Sequence, residues 1–92
     1  MKNLALRPEL IREGITFNSV APGCIMIPDT GWEAEQNKDP DSFANMVREK
    51  YPLGRLGIPE EVASVIAFIC SEQASLLNGA SIPVDGAESR RF

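Results

Sequence analysis

One amphipathic helix, beginning at Pro59, constrains the fold of this chain more than any other sequence feature. Proline is favoured at the first position of a helix, and the two glutamates that follow it suit the positive end of the helix dipole. Four apolar residues then repeat at the spacing of one helix face: Val62, Val65, Ile66 and Ile69. The pattern predicts a helix over 59–73, and its further apolar residues predict that it packs against two different surfaces.

Two short segments with strand character lie on either side of this helix. Segment 15–20 mixes apolar residues with small polar ones and ends at a Pro-Gly turn, which predicts a strand covered on both faces. Segment 80–84 is also β-rich, but Pro83 cannot donate to a strand ladder, so this strand is predicted at a sheet edge. Strand, connection, helix and edge strand together predict a right-handed, parallel βαβ unit of the α/β class.

A further helix is predicted over 3–13. Apolar residues in this segment fit helical spacing, although Pro8 is expected to kink or break a helix interior, and Gly14 is typical of a helix end. The predicted elements do not complete a sheet, because a single βαβ unit leaves one strand edge unpaired and one sheet face bare. The sequence therefore predicts part of a larger α/β domain.

The connection 24–57 is long and rich in proline, glycine, aspartate and asparagine. Connections of this length in compact domains commonly form lids or binding loops. One helix is predicted within it, from Asp39 or Asp41 to Lys50, whereas the stretch around residue 32 shows no periodicity. Three side chains of the connection either line a pocket or belong simply to an exposed loop and an amphipathic helix: Trp32, Phe43 and Met46.

Composition and charge argue against several classes of function. Ninety-two residues allow one small domain. A net charge of −4 without a basic cluster argues against nucleic acid and anionic membranes as partners. The longest apolar run, 65–70, is too short to cross a membrane, and the first residues lack the apolar core of a signal peptide.

Few side chains of this sequence could support chemistry. The absence of histidine excludes Ser-His-Asp hydrolysis, histidine metal sites and histidine general bases, and no metal site is predicted. Cys24 and Cys70 fit neither a zinc nor a CxxC spacing, so both are expected to be reduced thiols of a cytoplasmic protein. The adjacent Glu60 and Glu61 suit a helix start rather than acid–base catalysis. Arg55 either binds an anion or pins its loop to the helix.

Three sequence blocks resemble the short-chain dehydrogenase/reductase family. The blocks read GITFNSVAPG at 14–23, PLGRLGIPEEVA at 52–63, and SEQAS followed by VDG within 71–86. They are similar to a strand of the family with its Pro-Gly turn, to the entry of its penultimate helix and to its C-terminal ending. Their order and spacing identify residues 1–92 as a C-terminal fragment of a family member.

This resemblance implies the C-terminal βαβ part of a Rossmann-like, doubly wound parallel sheet. Strand 15–20 would be the sixth strand of that sheet, and strand 80–84 would be the seventh. The family uses NAD or NADP to interconvert alcohol and carbonyl groups of small molecules. By resemblance, the connection 24–57 covers the substrate, and helix 59–73 together with the last strand forms the subunit interface of a homo-oligomer.

The resemblance also implies cofactor contacts. Pro22 and Gly23 would lie against the nicotinamide ring, and the backbone of Ile25 would contact its carboxamide. The family pattern has threonine at position 27, where this sequence has Ile27, with Thr30 three residues later. No catalytic residue is assigned, because the family's Tyr-x-x-x-Lys motif, its catalytic serine and asparagine, and its glycine-rich phosphate turn have no counterpart in these 92 residues.

Three interpretations stay open from the sequence. The first is part of an NAD(P)-dependent oxidoreductase, supplying the nicotinamide-side turn, the substrate lid and the subunit interface. The second is a non-catalytic interaction module that pairs with itself or with a full-length relative through its exposed strand or apolar helix. The third is a truncated remnant without function. The 92 residues alone are not expected to catalyse a reaction.

Overall fold

A computed structural model describes residues 2–89; residue 1 and residues 90–92 of the predicted 1–92 fragment lie outside this range. Helices and strands follow one another along the chain as α1 (Lys2–Ala5), α2 (Pro8–Arg12), β1 (Ser19–Pro22), α3 (Gly31–Lys38), α4 (Pro40–Lys50), α5 (Pro59–Ile69), a 3-10 turn (Glu72–Ala74) and β2 (Ser81–Val84). The two strands pair in parallel, with Ser19 opposite Ser81 and Pro22 opposite Val84. Because helices α3, α4 and α5 connect two parallel strands, the predicted α/β class is confirmed.

The ladder extends by one backbone hydrogen bond beyond each end of the paired strands. The amide of Ser19 donates to the carbonyl of Ala80 at 2.9 Å, and the amide of Gly23 donates to the carbonyl of Val84 at 3.1 Å. Backbone groups alternate in direction along a strand, so the nitrogen of Pro83 faces away from β1. The proline therefore removes no hydrogen bond from this ladder.

The first strand covers 19–22 rather than the predicted 15–20, and β2 begins at 81 rather than 80. Before these residues, asparagine side chains form hydrogen bonds with the backbone in place of the strand ladder. The amide of Phe17 donates to Oδ1 of Asn78 at 2.9 Å, and Oδ1 of Asn18 accepts from the amide of Ala80 at 3.0 Å. The chain is held together here by asparagine side chains, so residues 15–18 are not a strand.

The predicted helix 3–13 is wrong as one element, because it is divided into α1 and α2. Pro8 has no amide hydrogen and its ring clashes with the preceding turn, so it ends the first helix and occupies the first turn of the second. The predicted stop at Gly14 is confirmed: its backbone has a φ of 79°, and its amide donates to the carbonyl of Ile11.

The connection 24–57 contains two helices where one was predicted. Helix α4 matches the prediction, and Oδ1 of Asp39 caps it by accepting from the amide of Ser42 at 3.2 Å. Helix α3 is the correction, since its sequence has no apolar face and gives no periodic signal. A tertiary contact stabilises it instead: the Trp32 and Phe43 rings meet edge to face with centroids 6.2 Å apart.

Helix α5 ends at Ile69, whereas 59–73 was predicted. The hydroxyl of Ser71 donates to the carbonyl of Phe68 at 2.6 Å, which satisfies a helix-end group, and a 3-10 turn follows. No residue of α5 is fully buried, and the Phe68 side chain is 52% exposed. The prediction that this helix packs against two surfaces therefore stays a prediction.

The main apolar cluster lies beside the carboxyl end of β1 and not under α5. Its four buried members come from α4 and the segment after it: Phe43, Val47, Tyr51 and Leu56. Cys24 and Met26, which follow the first strand, pack against this cluster together with Trp32. The cluster thus anchors the turn after β1 to the α3–α4 pair.

Candidate functional site

The turn after β1 is the part of the chain where a ligand is most expected. Open parallel sheets bind ligands at the carboxyl ends of their strands, and β1 ends at Pro22. Gly23 follows in a tightly enclosed position, because a Cβ at this residue would lie 2.5 Å from Oε2 of Glu88 and 2.7 Å from Cβ of Asp85. The turn therefore requires glycine for space.

A backbone bridge fixes the direction of Ile25. The amide of Met26 donates to the carbonyl of Gly57 at 2.8 Å, and the amide of Gly57 donates to the carbonyl of Cys24 at 3.0 Å. In a parallel bridge of this kind, the N–H and C=O of the central residue point away from the partner. Within the described part of the chain, neither backbone group of Ile25 forms a hydrogen bond, so both are available to a ligand.

The structure brings the predicted residues Pro22, Gly23 and Ile25 together on one cavity of about 660 Å³. A volume of this size is typical of small-molecule sites. The rest of its lining comes from the same turn, from the connection and from α5: Cys24, Ile27, Thr30, Trp32, Pro59, Val62, Ala63 and Ile66. Of the three side chains predicted as possible pocket residues, only Trp32 reaches this cavity. Phe43 belongs to the buried cluster, and Met46 packs against it.

The α5 residues of this lining were not predicted from the sequence, and Thr30 was noted only as the threonine three residues after Ile27. The apolar face of α5 was visible as a helical repeat, but its role as a cavity wall depends on the bridge between Ile25 and Gly57. Thr30 Oγ1 donates to the carbonyl of Ile27 at 2.5 Å. Its proton is therefore committed, and its oxygen can still accept a hydrogen bond from a ligand.

Tyr51, the sole tyrosine of the sequence, is buried in the apolar cluster and contacts the turn after β1. Its hydroxyl donates to Sγ of Cys24 at 3.3 Å, and the amide of Cys24 donates to Oε2 of Glu88 at 2.9 Å. The hydrogen bond with Cys24, followed by burial, raises the pKa of Tyr51 to about 12. The phenol therefore stays protonated at neutral pH and holds the turn rather than acting as a base.

Arg55 pins its loop to helix α5, which settles the choice left open by the sequence. Its guanidinium forms two hydrogen bonds with the carboxylate of Glu61, at 2.8 and 2.9 Å. The same carboxylate accepts from the amide of Ile58 at 3.0 Å. The hydrogen bonds from Arg55 and then from Ile58 lower the pKa of Glu61 to about 2. This pair fixes the residues that follow the Gly57 bridge.

Replacing Glu61 by glutamine is expected to change the pH dependence of stability. The pKa of Glu61 is lower in the fold than its usual value of 4.5, so ionisation of this group favours folding. That contribution is present above pH 4.5 and is lost as the pH falls toward about 2. In thermal unfolding followed by circular dichroism, Glu61→Gln should show a smaller decrease of the midpoint over this interval than the unmodified chain.

Glu60→Gln is the matched control, because Glu60 forms no ion pair among residues 2–89. It should keep the pH dependence of the unmodified chain. Arg55→Ala should reproduce part of the effect of Glu61→Gln, because the hydrogen bond from the Ile58 amide remains. Equal pH dependence in Glu61→Gln and in the unmodified chain would contradict the assignment.

No group of three or more histidine, cysteine, aspartate and glutamate side chains within 2–89 is arranged to hold a metal ion. None of the helices described is long and apolar enough to cross a membrane.

Comparisons with known proteins relate this geometry to a family. A family model described as enoyl-(acyl carrier protein) reductase matches residues 1–87. The (3R)-3-hydroxyacyl-CoA dehydrogenase of Mus musculus is 44% identical over 78 residues, which cover 85% of this chain and 28% of the relative. The 3-oxoacyl-[acyl-carrier-protein] reductase FabG of Aquifex aeolicus is 42% identical over 82 residues, which cover 89% of this chain and 31% of the relative. The chain thus spans about three tenths of the length of these relatives.

Solved structures agree with the sequence comparisons. YwfH, an NADPH-dependent reductase of bacilysin biosynthesis, superposes with a TM-score of 0.77 at 29% identity, over 99% of this chain and 35% of that one. Acetoin dehydrogenase YohF of Salmonella typhimurium gives a TM-score of 0.70 at 35% identity, over 99% of this chain and 31% of that enzyme. The chain therefore has the fold of one part of these enzymes.

Proposed function

The chain belongs to the short-chain dehydrogenase/reductase family, and we propose that it forms the part of an NAD(P)-dependent oxidoreductase that holds the nicotinamide end of the cofactor. One observation carries the proposal: Pro22, Gly23 and Ile25 line a single cavity at the carboxyl end of a parallel strand. This edge is where open α/β sheets bind their ligands.

The cavity matches the two parts of a nicotinamide group, a flat ring and a carboxamide. Aliphatic side chains and the Trp32 indole form most of its wall, against which a flat ring can pack. The N–H and C=O of Ile25 offer one donor and one acceptor to an amide group. The oxygen of Thr30 adds a second acceptor on the same cavity.

When bound, NAD or NADP supplies hydride transfer to or from the substrate carbon. The residues of this chain would orient the ring and exclude water from one side of it. The connection 24–57, which carries α3 and α4, would cover the substrate, and Trp32 extends from it into the cavity wall. The relatives are named for hydroxyacyl, oxoacyl and acetoin chemistry, so a small molecule with an alcohol or carbonyl group is the proposed substrate.

The proposal includes a homo-oligomer and a cytoplasmic location. The interface would form through segment 59–73 and strand 80–84. Exposed apolar surface on α5 outside the cavity supports this, since Phe68 is 52% exposed. Both cysteines are free thiols, which suits a reducing compartment.

A titration of the ¹⁵N-labelled chain tests cofactor binding. NAD⁺ or NADP⁺ at millimolar concentration should shift the amide signals of Gly23, Cys24 and Ile25, because the nicotinamide ring packs on this turn. ADP-ribose, which lacks nicotinamide, should leave these signals in place. Amides of α2, which lies outside the cavity lining, serve as the internal reference. Unchanged turn signals, or an equal response to ADP-ribose, would contradict the proposal.

A non-catalytic interaction module is the second candidate function. It is favoured by β1, which has one neighbouring strand among the described residues and so presents an unpaired edge. Sedimentation of the 92-residue chain separates the candidates: a dimer that ignores NAD⁺ and NADP⁺ supports the module. A chain that binds the dinucleotides, with or without self-association, supports the oxidoreductase part.

A further inference from the structure

Asn78 is followed directly by Gly79, and this pair is chemically reactive in a flexible chain. The backbone nitrogen of the glycine can attack Cγ of the asparagine, forming a cyclic imide while the side-chain nitrogen leaves as ammonia. Water then opens the imide to aspartate or isoaspartate. Glycine favours the attack because no Cβ shields its amide nitrogen.

We propose that Asn78 is a deamidation site that the native fold keeps closed and that becomes reactive when residues 77–80 separate from residues 17–18. The inference is independent of the proposed function, because it rests on hydrogen bonds outside the cofactor cavity. Asn78 belongs to neither SEQAS nor VDG, the nearest segments that resemble the family, and its reactivity affects how long the chain keeps its fold.

The fold holds each atom that the reaction must move. Oδ1 of Asn78 accepts from the amide of Phe17 at 2.9 Å, and Nδ2 donates to the carbonyl of Ala5 at 2.6 Å. The nitrogen of Gly79 donates to the carbonyl of Phe17 at 2.7 Å. For the nitrogen to reach Cγ, the side chain must turn and these bonds must break. The reaction therefore requires an opened state, whose population is set by local stability.

The products do not fit the closed structure. A carboxylate at position 78 only accepts hydrogen bonds, so it cannot donate to the carbonyl of Ala5 and would place a negative charge beside that oxygen. Isoaspartate adds a methylene group to the backbone, which displaces Gly79 from Phe17. Deamidation is thus expected to prevent the contact between α1 and the start of the sheet from re-forming, and each opening risks a one-way loss of the fold.

The experiment compares deamidation of the 92-residue chain in native buffer and in guanidinium chloride at the same mildly alkaline pH. Peptide mapping by mass spectrometry follows the replacement of NH₂ by OH at residue 78. We expect native conditions to slow this reaction at least about tenfold. Equal rates would contradict protection of Asn78 by the native fold. An Asn78 that stays unreactive in denaturant would contradict its assignment as a deamidation site.

Two variants test the mechanism and its consequence. Asn18→Ala removes hydrogen bonds from the same junction and should accelerate deamidation of Asn78 in native buffer. Asn45→Ala, on the exposed face of α4, should not. Asn78→Asp carries the product and should unfold at a lower temperature than the unmodified chain. A rate unchanged by Asn18→Ala, or a midpoint unchanged by Asn78→Asp, would contradict the proposal.

Discussion

Replacing Gly23 by alanine is expected to destabilise the chain by about 1–3 kcal/mol and to remove cofactor binding, because a side chain at this position meets the segment 85–88. The new Cβ would lie 2.5 Å from Oε2 of Glu88 and 2.9 Å from Cα of Asp85. The second contact is with backbone and cannot be relieved by a side-chain rotation. The turn must therefore shift, and Ile25 shifts with it. Thermal unfolding and the NAD⁺ titration measure the two effects.

Gly31→Ala is the matched control for this prediction. A Cβ at Gly31 has no atom within 4 Å, and the residue is the first of α3, so alanine should leave stability unchanged or slightly raised. Adding Glu88→Ala to Gly23→Ala should recover only part of the loss, since the contact with Asp85 remains. A Gly23→Ala chain as stable as Gly31→Ala, with normal binding, would show that the turn is not closely packed.

Replacing Asn18 by alanine is expected to destabilise the chain by about 2–4 kcal/mol, because two partly buried backbone groups lose their partner. Nδ2 of Asn18 donates to the carbonyl of Leu77 at 3.1 Å, and Oδ1 accepts from the amide of Ala80 at 3.0 Å. These bonds align β1 with β2 at the point where the ladder starts. Denaturant unfolding gives the free energy of unfolding for each variant.

A series at two asparagines separates these hydrogen bonds from a general effect of alanine. Asn18→Asp keeps the acceptor for Ala80 but loses the donor to Leu77, so its loss should be smaller than that of Asn18→Ala. Asn45, on the exposed face of α4, accepts only from Arg48 at 3.3 Å among the described residues. Asn45→Ala should change stability by no more than about 0.5 kcal/mol. Equal losses at positions 18 and 45 would contradict the proposed role of Asn18.

Local sequence rules predicted several elements correctly. Proline at the first position, followed by two glutamates, located the start of α5. For α4 the sequence left Asp39 and Asp41 open as the start, and the structure shows Asp39 as the cap. Gly14 marked the end of the helical segment that finishes with α2. These signals act over a few residues, because capping groups and backbone preferences are properties of neighbouring positions.

The structure changed the predictions wherever distant residues meet. Helix α3 has no apolar periodicity, and the contact between Trp32 and Phe43 accounts for its position. β1 begins at Ser19 and not earlier, because the amide of Phe17 donates to the side chain of Asn78 instead of to a strand. Asn78 lies 61 positions further along the chain. No local pattern contains that information.

The candidate site also combines residues that were predicted from the sequence with residues that only the structure identified. Pro22, Gly23 and Ile25 were predicted from motifs that resemble a family, and the structure places them on one cavity. The sequence by itself determined the strand–helix–strand order and the start of α5, because proline, first-turn carboxylates and apolar spacing act over a few residues. The turn residues came from the resemblance to the family. Only the tertiary structure decided that α5 and Thr30 complete the wall. Their distances to the turn depend on the Gly57 bridge and the Arg55–Glu61 pair, which join residues far apart in the chain.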